Sequence, residues 1–202
     1  MKQACVLLLL IALAGCSDDP KTATETTKKT PEKLAPITGR EAFYKMFPQA
    51  RTWATDAQGL ECKSVQISTV KADKGKAAVW QCVFVSESRG RKKGFTWSAV
   101  EGDGYHQNVF AGSEESYSAS RQSSPFQPIA IKIDSDAALD TVVKKSPPAQ
   151  VKKAEESSAV NFVLEQTPRF PNLVWRVIWG ESVATAGYAG TVDAVTGDFL
   201  GH

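Results

Sequence analysis

The spacing of apolar residues along this chain changes several times. Residues 6–14 are an unbroken apolar run, and residues 17–37 hold almost no large apolar side chain. From residue 38 the pattern turns periodic. Ala42, Phe43, Met46 and Phe47 recur on one helical face. Ala50, Trp53, Ala54 and Ala57 extend that face past Pro48, which is expected to kink or end the first stretch. Thr38 and Glu41 stand at capping-box spacing, where each side chain satisfies a free amide of the helix start. Gln58-Gly59 closes the helical pattern.

Strand-like spacing follows. Residues 60–70 and 77–86 read as two strands, joined by a turn at Lys74-Gly75-Lys76 and expected to pair as neighbours. Trp80, Cys82 and Phe84 alternate with more exposed positions, as do Phe95, Trp97 and Ala99, which argues for one buried face. Residues 88–94 read as an exposed connection. Residues 101–104 form a turn, residues 105–110 a fourth short strand, and the polar, Ser-rich stretch 113–125 a loop between two halves.

The second half repeats that order. Residues 129–133 lead in, Ser135 is expected to cap a helix, and Leu139, Val142 and Val143 line its face. Lys144 and Lys145 suit the negative C-terminal end, and Pro147-Pro148 stops it. Val160, Phe162 and Leu164 alternate as a strand, residues 167–172 form a loop, and Leu173, Trp175, Val177 and Trp179 alternate strongly. Residues 188–195 are the last strand, followed by a Thr196-Gly197 turn.

Residues 78–84 can be laid over 173–179, Gly94-Phe95 over Gly187-Tyr188, and Glu101-Gly102 over Thr196-Gly197. The expected fold class is therefore α+β: an antiparallel sheet with helices packed on one face, in two helix-strand-strand-strand units at 38–125 and 126–202. The alternative is chance, since amphipathic strands look alike.

Part of the second unit is similar to a known family. Ser135-Asp136-Ala137-Ala138-Leu139, residues 160–165, Val174-Trp175-Arg176-Val177 and Val192-Asp193-Ala194-Val195-Thr196-Gly197 together resemble the PepSY module over about 65 residues. The first half has Ser98-Ala99-Val100-Glu101-Gly102 in place of the Asp-Ala-x-Thr-Gly ending, so its likeness rests on order alone. The resemblance implies a non-catalytic unit of exported bacterial proteins, associated with inhibition of, or chaperoning near, peptidases. Asp193 and Gly197 also read as turn chemistry.

The opening residues bear on location. Lys2, the apolar run and the small residues Leu13-Ala14-Gly15 before Cys16 have the layout of an export signal. The run is far short of the ~20 residues of a spanning helix. Leu13-Ala14-Gly15-Cys16 resembles the bacterial lipobox. That resemblance implies removal of residues 1–15 and diacylglycerol, with further acylation, on Cys16. The membrane is then a partner through lipid on Cys16. Ser17 favours the outer membrane, facing the periplasm, although Asp18 and Asp19 follow one place later. An ordinary secretory signal is the alternative. Residues 16–37, polar and Thr-rich, read as a flexible tether.

The 202 residues less the first 15 leave 187, and losing Lys2 leaves 23 basic against 22 acidic residues. That balance provides no electrostatic case for nucleic acid. Cys62 and Cys82 are expected to form a disulfide in an oxidising compartment, free thiols being the alternative. No metal-ligand cluster, phosphate loop, cofactor motif or Gly-x-Ser-x-Gly is read, and no residue is assigned a catalytic role. His106 reads as a surface or half-buried residue. A concave pocket holding it with acidic neighbours would revive an enzyme. Glu114-Glu115 and Glu155-Glu156 read as solvated. The five tryptophans read as core rather than as a ligand face.

Arg89, Arg91, Lys92 and Lys93 are candidate contacts to anionic lipid or cell wall, or simply a solvated hairpin end. Arg169 and Phe170, in a Pro-flanked loop, are candidate contacts to an envelope protein or peptide. The expected function is non-enzymatic binding or peptidase inhibition at a membrane surface, with an envelope assembly factor as the alternative.

Overall fold

A computed structural model describes residues 34–102, 104–119, 123–170 and 172–202. The signal segment, Cys16 and nearly all of the tether lie outside the described residues.

The short β1 (Ile37–Thr38) leads into α1 (Gly39–Trp53), which buries Ala42, Phe43, Met46 and Ala50. Pro48 lies inside α1 without ending it, because buried Met46 and Ala50 hold the helix on either side. The capping box does not form. Thr38 makes no side-chain cap; its hydroxyl donates to Asp134 Oδ2 at 2.7 Å, and Glu41 pairs with Lys45 at 3.5 Å.

Eight strands form the main sheet: β2 (Gln58–Val65), β4 (Val79–Ser86), β5 (Arg91–Ser98), β6 (Asn108–Ser116), β7 (Val160–Glu165), β8 (Val174–Trp179), β9 (Tyr188–Asp193) and β10 (Phe199–Gly201). Between β2 and β4, β3 (Lys76–Ala77) pairs with β1. The order across the sheet is β10-β9-β8-β7-β2-β4-β5-β6, antiparallel throughout. Each half of the chain thus contributes four consecutive strands, and the halves meet where β2 pairs β7. That seam has three registered pairs, Glu61–Glu165, Cys62–Leu164 and Lys63–Val163. Beyond them side chains take over: Phe162 N–H donates to Ser64 Oγ at 2.9 Å and Gln66 Nε2 to Val160 O at 2.8 Å.

The second half adds α2 (Ser135–Lys145) and α3 (Pro148–Ser157). The helices share one core with Trp80, Cys82, Phe84, Phe162, Trp175 and Val177. Trp80 and Trp175 stand edge to face, centroids 6.2 Å apart. Each indole N–H donates to a backbone carbonyl just ahead of its own half's first helix: Trp80 to Ile37 at 3.0 Å, Trp175 to Ile133 at 2.9 Å. A Cβ at Gly39 would collide with both rings, so only glycine lets α1 start there.

One carboxylate joins the helix starts. Asp134 Oδ1 accepts from Arg40 N–H at 2.8 Å on α1 and from Ser135 N–H at 2.7 Å on α2. Asp134, not Ser135, is the N-cap of α2. Ser135 is buried inside the first turn, accepts from Gly39 N–H at 2.8 Å and donates to Gly75 O at 2.6 Å.

Four further expectations change. Arg91, Lys92 and Lys93 belong to β5 rather than to an exposed connection. Residues 113–116 extend β6 instead of forming a loop; as an edge strand exposed along most of its length it has no apolar alternation to read. The Pro147-Pro148 pair ends α2 but also starts α3, with proline in the first turn, where its missing N–H costs nothing. The chain adds β10 after the Thr196-Gly197 turn, so the second half has four strands in the main sheet and not three, matching the four of the first half.

Candidate functional site

The Cys62–Cys82 disulfide links β2 and β4 at directly paired positions, with Cα atoms 4.0 Å apart and both residues fully buried. It faces the core, so it braces the sheet and offers no thiol to a ligand.

The basic hairpin end is already partnered. Arg89 Nη1 donates to Trp53 O at 2.7 Å, and its guanidinium lies 5.2 Å from the Trp53 ring centre and 3.3 Å from Glu114. Arg91 reaches Glu114 at 3.3 Å, Lys92 reaches Glu115 at 3.2 Å, and Lys93 lies 5.9 Å from the Phe95 ring centre. Glu114 and Glu115 are therefore ion-paired rather than simply solvated. A hydrogen bond from Trp53 Nε1 holds the Glu114 carboxyl below its ordinary range; slight burial opposes this, and Arg89, Arg91 and Lys93 add to it. Four cations thus meet two carboxylates across the β4–β5 turn, β5 and β6, so the hairpin end is paired within the chain and keeps a net positive charge.

The other candidate contacts lie at the β7–β8 loop. The Arg169 and Arg176 guanidiniums sit 5.3 Å and 5.9 Å from the Phe170 ring centre, at cation–π distance. Arg176 Nε also meets Glu165 Oε1. Burial pushes the Glu165 carboxyl up; Arg176 opposes that shift, and Glu61, directly across the seam, adds to it. Arg176 and Phe170 thus form one cluster with Glu165, and the distant hairpin cations are not part of it.

By strand alternation Glu61, Lys63, Gln81, Val83, Thr96, Val163 and Arg176 lie on the face opposite the shared core. Two adjoining hollows of about 310 and 350 Å³ share Lys63 and Gln81 there. The first runs over Gly94 and Gly112, and the second reaches Gln66 and Asn161. Amides, hydroxyls, valines, one lysine and the carboxylates of Glu61, Glu115 and Glu181 make a polar furrow suited to hydrogen bonding an extended ligand. The alternation of β4 and β7, and a strand over residues 60–70, were legible in sequence, but the strand order that gathers these residues was not.

Other titratable groups serve local structure. Asp56 accepts from Ser86 Oγ at 2.6 Å and Ser88 N–H at 3.1 Å, and these bonds lower its carboxyl to about 2. Asp193 is pushed up by burial, but bonds from Asn172, Thr196 and Val195 outweigh that and leave it below its usual range. This is the expected turn chemistry, with Gly197 at φ 84°. His106 Nδ1 lies 3.0 Å from Glu101 Oε1, with both side chains more than half exposed at 62% and 55%. An acidic neighbour is present, on an exposed turn and not in a concave pocket. Gln107 N–H and then His106 hold the Glu101 carboxyl down, against slight burial. Trp80, Trp97, Trp175 and Trp179 are buried in the core, and only Trp53 reaches the surface.

Among the described residues no helix is long and apolar enough to cross a membrane, and no three His, Cys, Asp or Glu side chains group as metal ligands. No family model, curated protein or solved structure matches the chain.

Proposed function

We propose that this chain is a lipid-anchored, extracytoplasmic binding module without catalytic chemistry, held by Cys16 at the outer membrane and facing the periplasm. On this reading it acts as a binding or peptidase-inhibitory unit. The lipobox-like Leu13-Ala14-Gly15-Cys16 supports the anchor, and the buried Cys62–Cys82 disulfide supports an oxidising compartment.

We further propose that the halves are two PepSY-like repeats. Their like strand order, the matched Trp80 and Trp175 bonds and the equivalent places of Ile37 and Ile133 support this.

The observation that carries the binding reading is the division of labour among polar groups. The Asp56, Asp134, Asp193 and Glu114 carboxylates are spent on turns, caps and ion pairs. In the furrow Lys63 pairs with Glu61 at 3.8 Å, but the Gln81 and Thr96 side chains make no such bond among the described residues, and the outer edge of β6 has no strand partner among them.

Two measurements test the proposal. Palmitate labelling should mark the wild type, and Cys16→Ala should remove both label and membrane retention. A photo-crosslinking residue in place of Gln81, Thr96 or Phe110 should yield adducts in intact cells, whereas one in place of Asp140 on α2 should not. Silence at all three sheet positions would defeat the binding reading.

A further inference from the structure

We infer that the outer edge of β6 is the docking edge. It takes an uncharged, extended peptide segment as a ninth strand, with one apolar side chain of that segment entering a slot beside Val109. This deepens the binding reading and rests on it.

The first observation is the edge itself. β6 ends the sheet, and its outer side has no partner among the described residues. An edge strand presents unpaired N–H and C=O groups whose natural complement is another extended backbone. The opposite end of the sheet is treated differently, since β10 is three residues long against nine in β6. Short edge strands and free charges are ways of blunting an edge. The charges on β6, Glu114 and Glu115, are neutralised within the chain by Arg89, Arg91 and Lys92. A register shift opposite Gly112 and Ser113 breaks the far part of the strand and leaves residues 108–111 evenly paired with β5.

The second observation is a slot at that evenly paired end. A cavity of about 440 Å³ is walled by Leu34, Ile37, Trp97 and Val109, within the range typical of ligand cavities (~300–1,000 Å³). Its charged lining residues, Glu41 and Lys45, are paired with each other at 3.5 Å. The slot therefore has apolar walls, with Asn108 and an internally balanced ion pair at its rim, which selects an uncharged apolar side chain. Strand addition uses the same division: the backbone supplies affinity, and a pocket for alternate side chains supplies specificity.

The third observation is that the start of the edge is held rigid. Glu101 accepts from Gln107 N–H at 2.7 Å and meets the His106 ring at 3.0 Å, while Gln107 Nε2 donates to Ala99 O at 3.1 Å. Asn108, which lines the slot, then takes a left-handed φ of 69°, uncommon for a residue other than glycine. The His106 ring packs 4.7 Å from the Phe110 ring. Rigid presentation lowers the ordering cost of binding, and it gives the Glu101–His106 pair a positioning role in place of a chemical one.

The test uses the full-length protein in detergent, uniformly ¹⁵N-labelled and titrated with hexapeptides that alternate Thr with Leu or Phe. Controls are the all-Thr peptide and copies N-methylated at alternate amides. Shift changes and slowed amide exchange are expected along residues 108–111. Alternate N-methylation and the loss of the apolar residues should each weaken binding about tenfold or more. Ala35→Trp, at an exposed residue lining the slot, should fill it and weaken binding similarly while the fold is kept. If the peptides instead shift the furrow around Gln81 and Ala35→Trp is neutral, the edge inference falls and the binding reading survives. Failure of every peptide to bind at millimolar concentration also overturns the edge inference, while the crosslinking experiment decides the binding reading separately. Concentration-dependent dimerisation that protects β6 amides without peptide would assign the edge to a second copy and overturn it too.

Discussion

The two halves of the sheet place equivalent parts in equivalent positions and then finish differently. Trp80 and Trp175 occupy matching strands and make matching bonds, and each half is a four-strand meander. The first half alone carries the disulfide and ends in a long edge strand beside a slot. The second ends in the short β10 and carries an extra helix, α3, packed on β8 and β9. One scaffold thus yields one half that ends in a nine-residue edge strand and one half whose edge strand is three residues long. The core is shared; the asymmetry lies at the rims.

The largest expected effect tests the shared part. Trp80→Ala and Trp175→Ala should each destabilise by about 3–5 kcal/mol, as large aromatic deletions in cores do. Urea unfolding should give similar costs for the two, and a cost confined to one half would break the equivalence. The disulfide tests the unshared part. Replacing both Cys62 and Cys82 by Ala should cost about 3 kcal/mol in the loop-closure account, read by the same unfolding experiment.

Asp134 stands between the halves. Asp134→Ala removes the cap of both helices and should cost about 2 kcal/mol, near ~1 kcal/mol per cap. Thr38→Ala, which leaves the backbone bonds to Asp134 in place, should cost less. Thermal melts of the two variants would expose a cap that serves only one helix.

Acid compares a turn from each half. Asp56 is lowered to about 2 in the folded chain, so its stabilisation is present above its unfolded value near ~3.9 and is lost as pH falls toward about 2. Asp193 is also lowered and has the same sign. Melting temperature followed from pH 5 to pH 2 should fall less steeply in Asp56→Asn and in Asp193→Asn than in the wild type. The smallest effect is expected at the hairpin end. Arg91→Ala and Lys92→Ala break half-exposed ion pairs worth roughly 0–1 kcal/mol, so their unfolding midpoints should barely move.

Much of this architecture was legible in the residues. Trp80, Cys82 and Phe84 announce β4 because one face of the strand is buried, and Phe162 and Leu164 announce β7 for the same reason. The overlay of residues 78–84 on 173–179 falls on β4 and β8, which occupy matching places in the strand order. What stayed hidden has two causes. The last residues of β6 are polar because an edge strand exposed along its length leaves no alternation, and α3 buries only Val151 and Ala154, too little to mark a helical face. The other cause is distance. Thr38 looked like the local partner of Glu41, yet its hydroxyl bonds Asp134, 96 residues away. The pairing of β2 with β7, which brings Lys63 beside Val163, depends on the same long-range closure and has no signature in either segment alone. Phe170 and the Arg176–Glu165 pair, by contrast, meet locally within the β7–β8 hairpin.

The Asp134 cap sets an order of events as the chain folds from its N-terminus. Arg40 donates to a carboxylate 94 residues downstream. In a chain that emerges from its N-terminus, the start of α1 therefore precedes its acceptor by those 94 residues. Until the second half follows, the β2 edge also lacks β7, although the apolar face of α1 already has β2, β4, β5 and β6 to pack on. The first half is therefore an unfinished sheet until the second half docks, and that is when a holding chaperone would have something to hold.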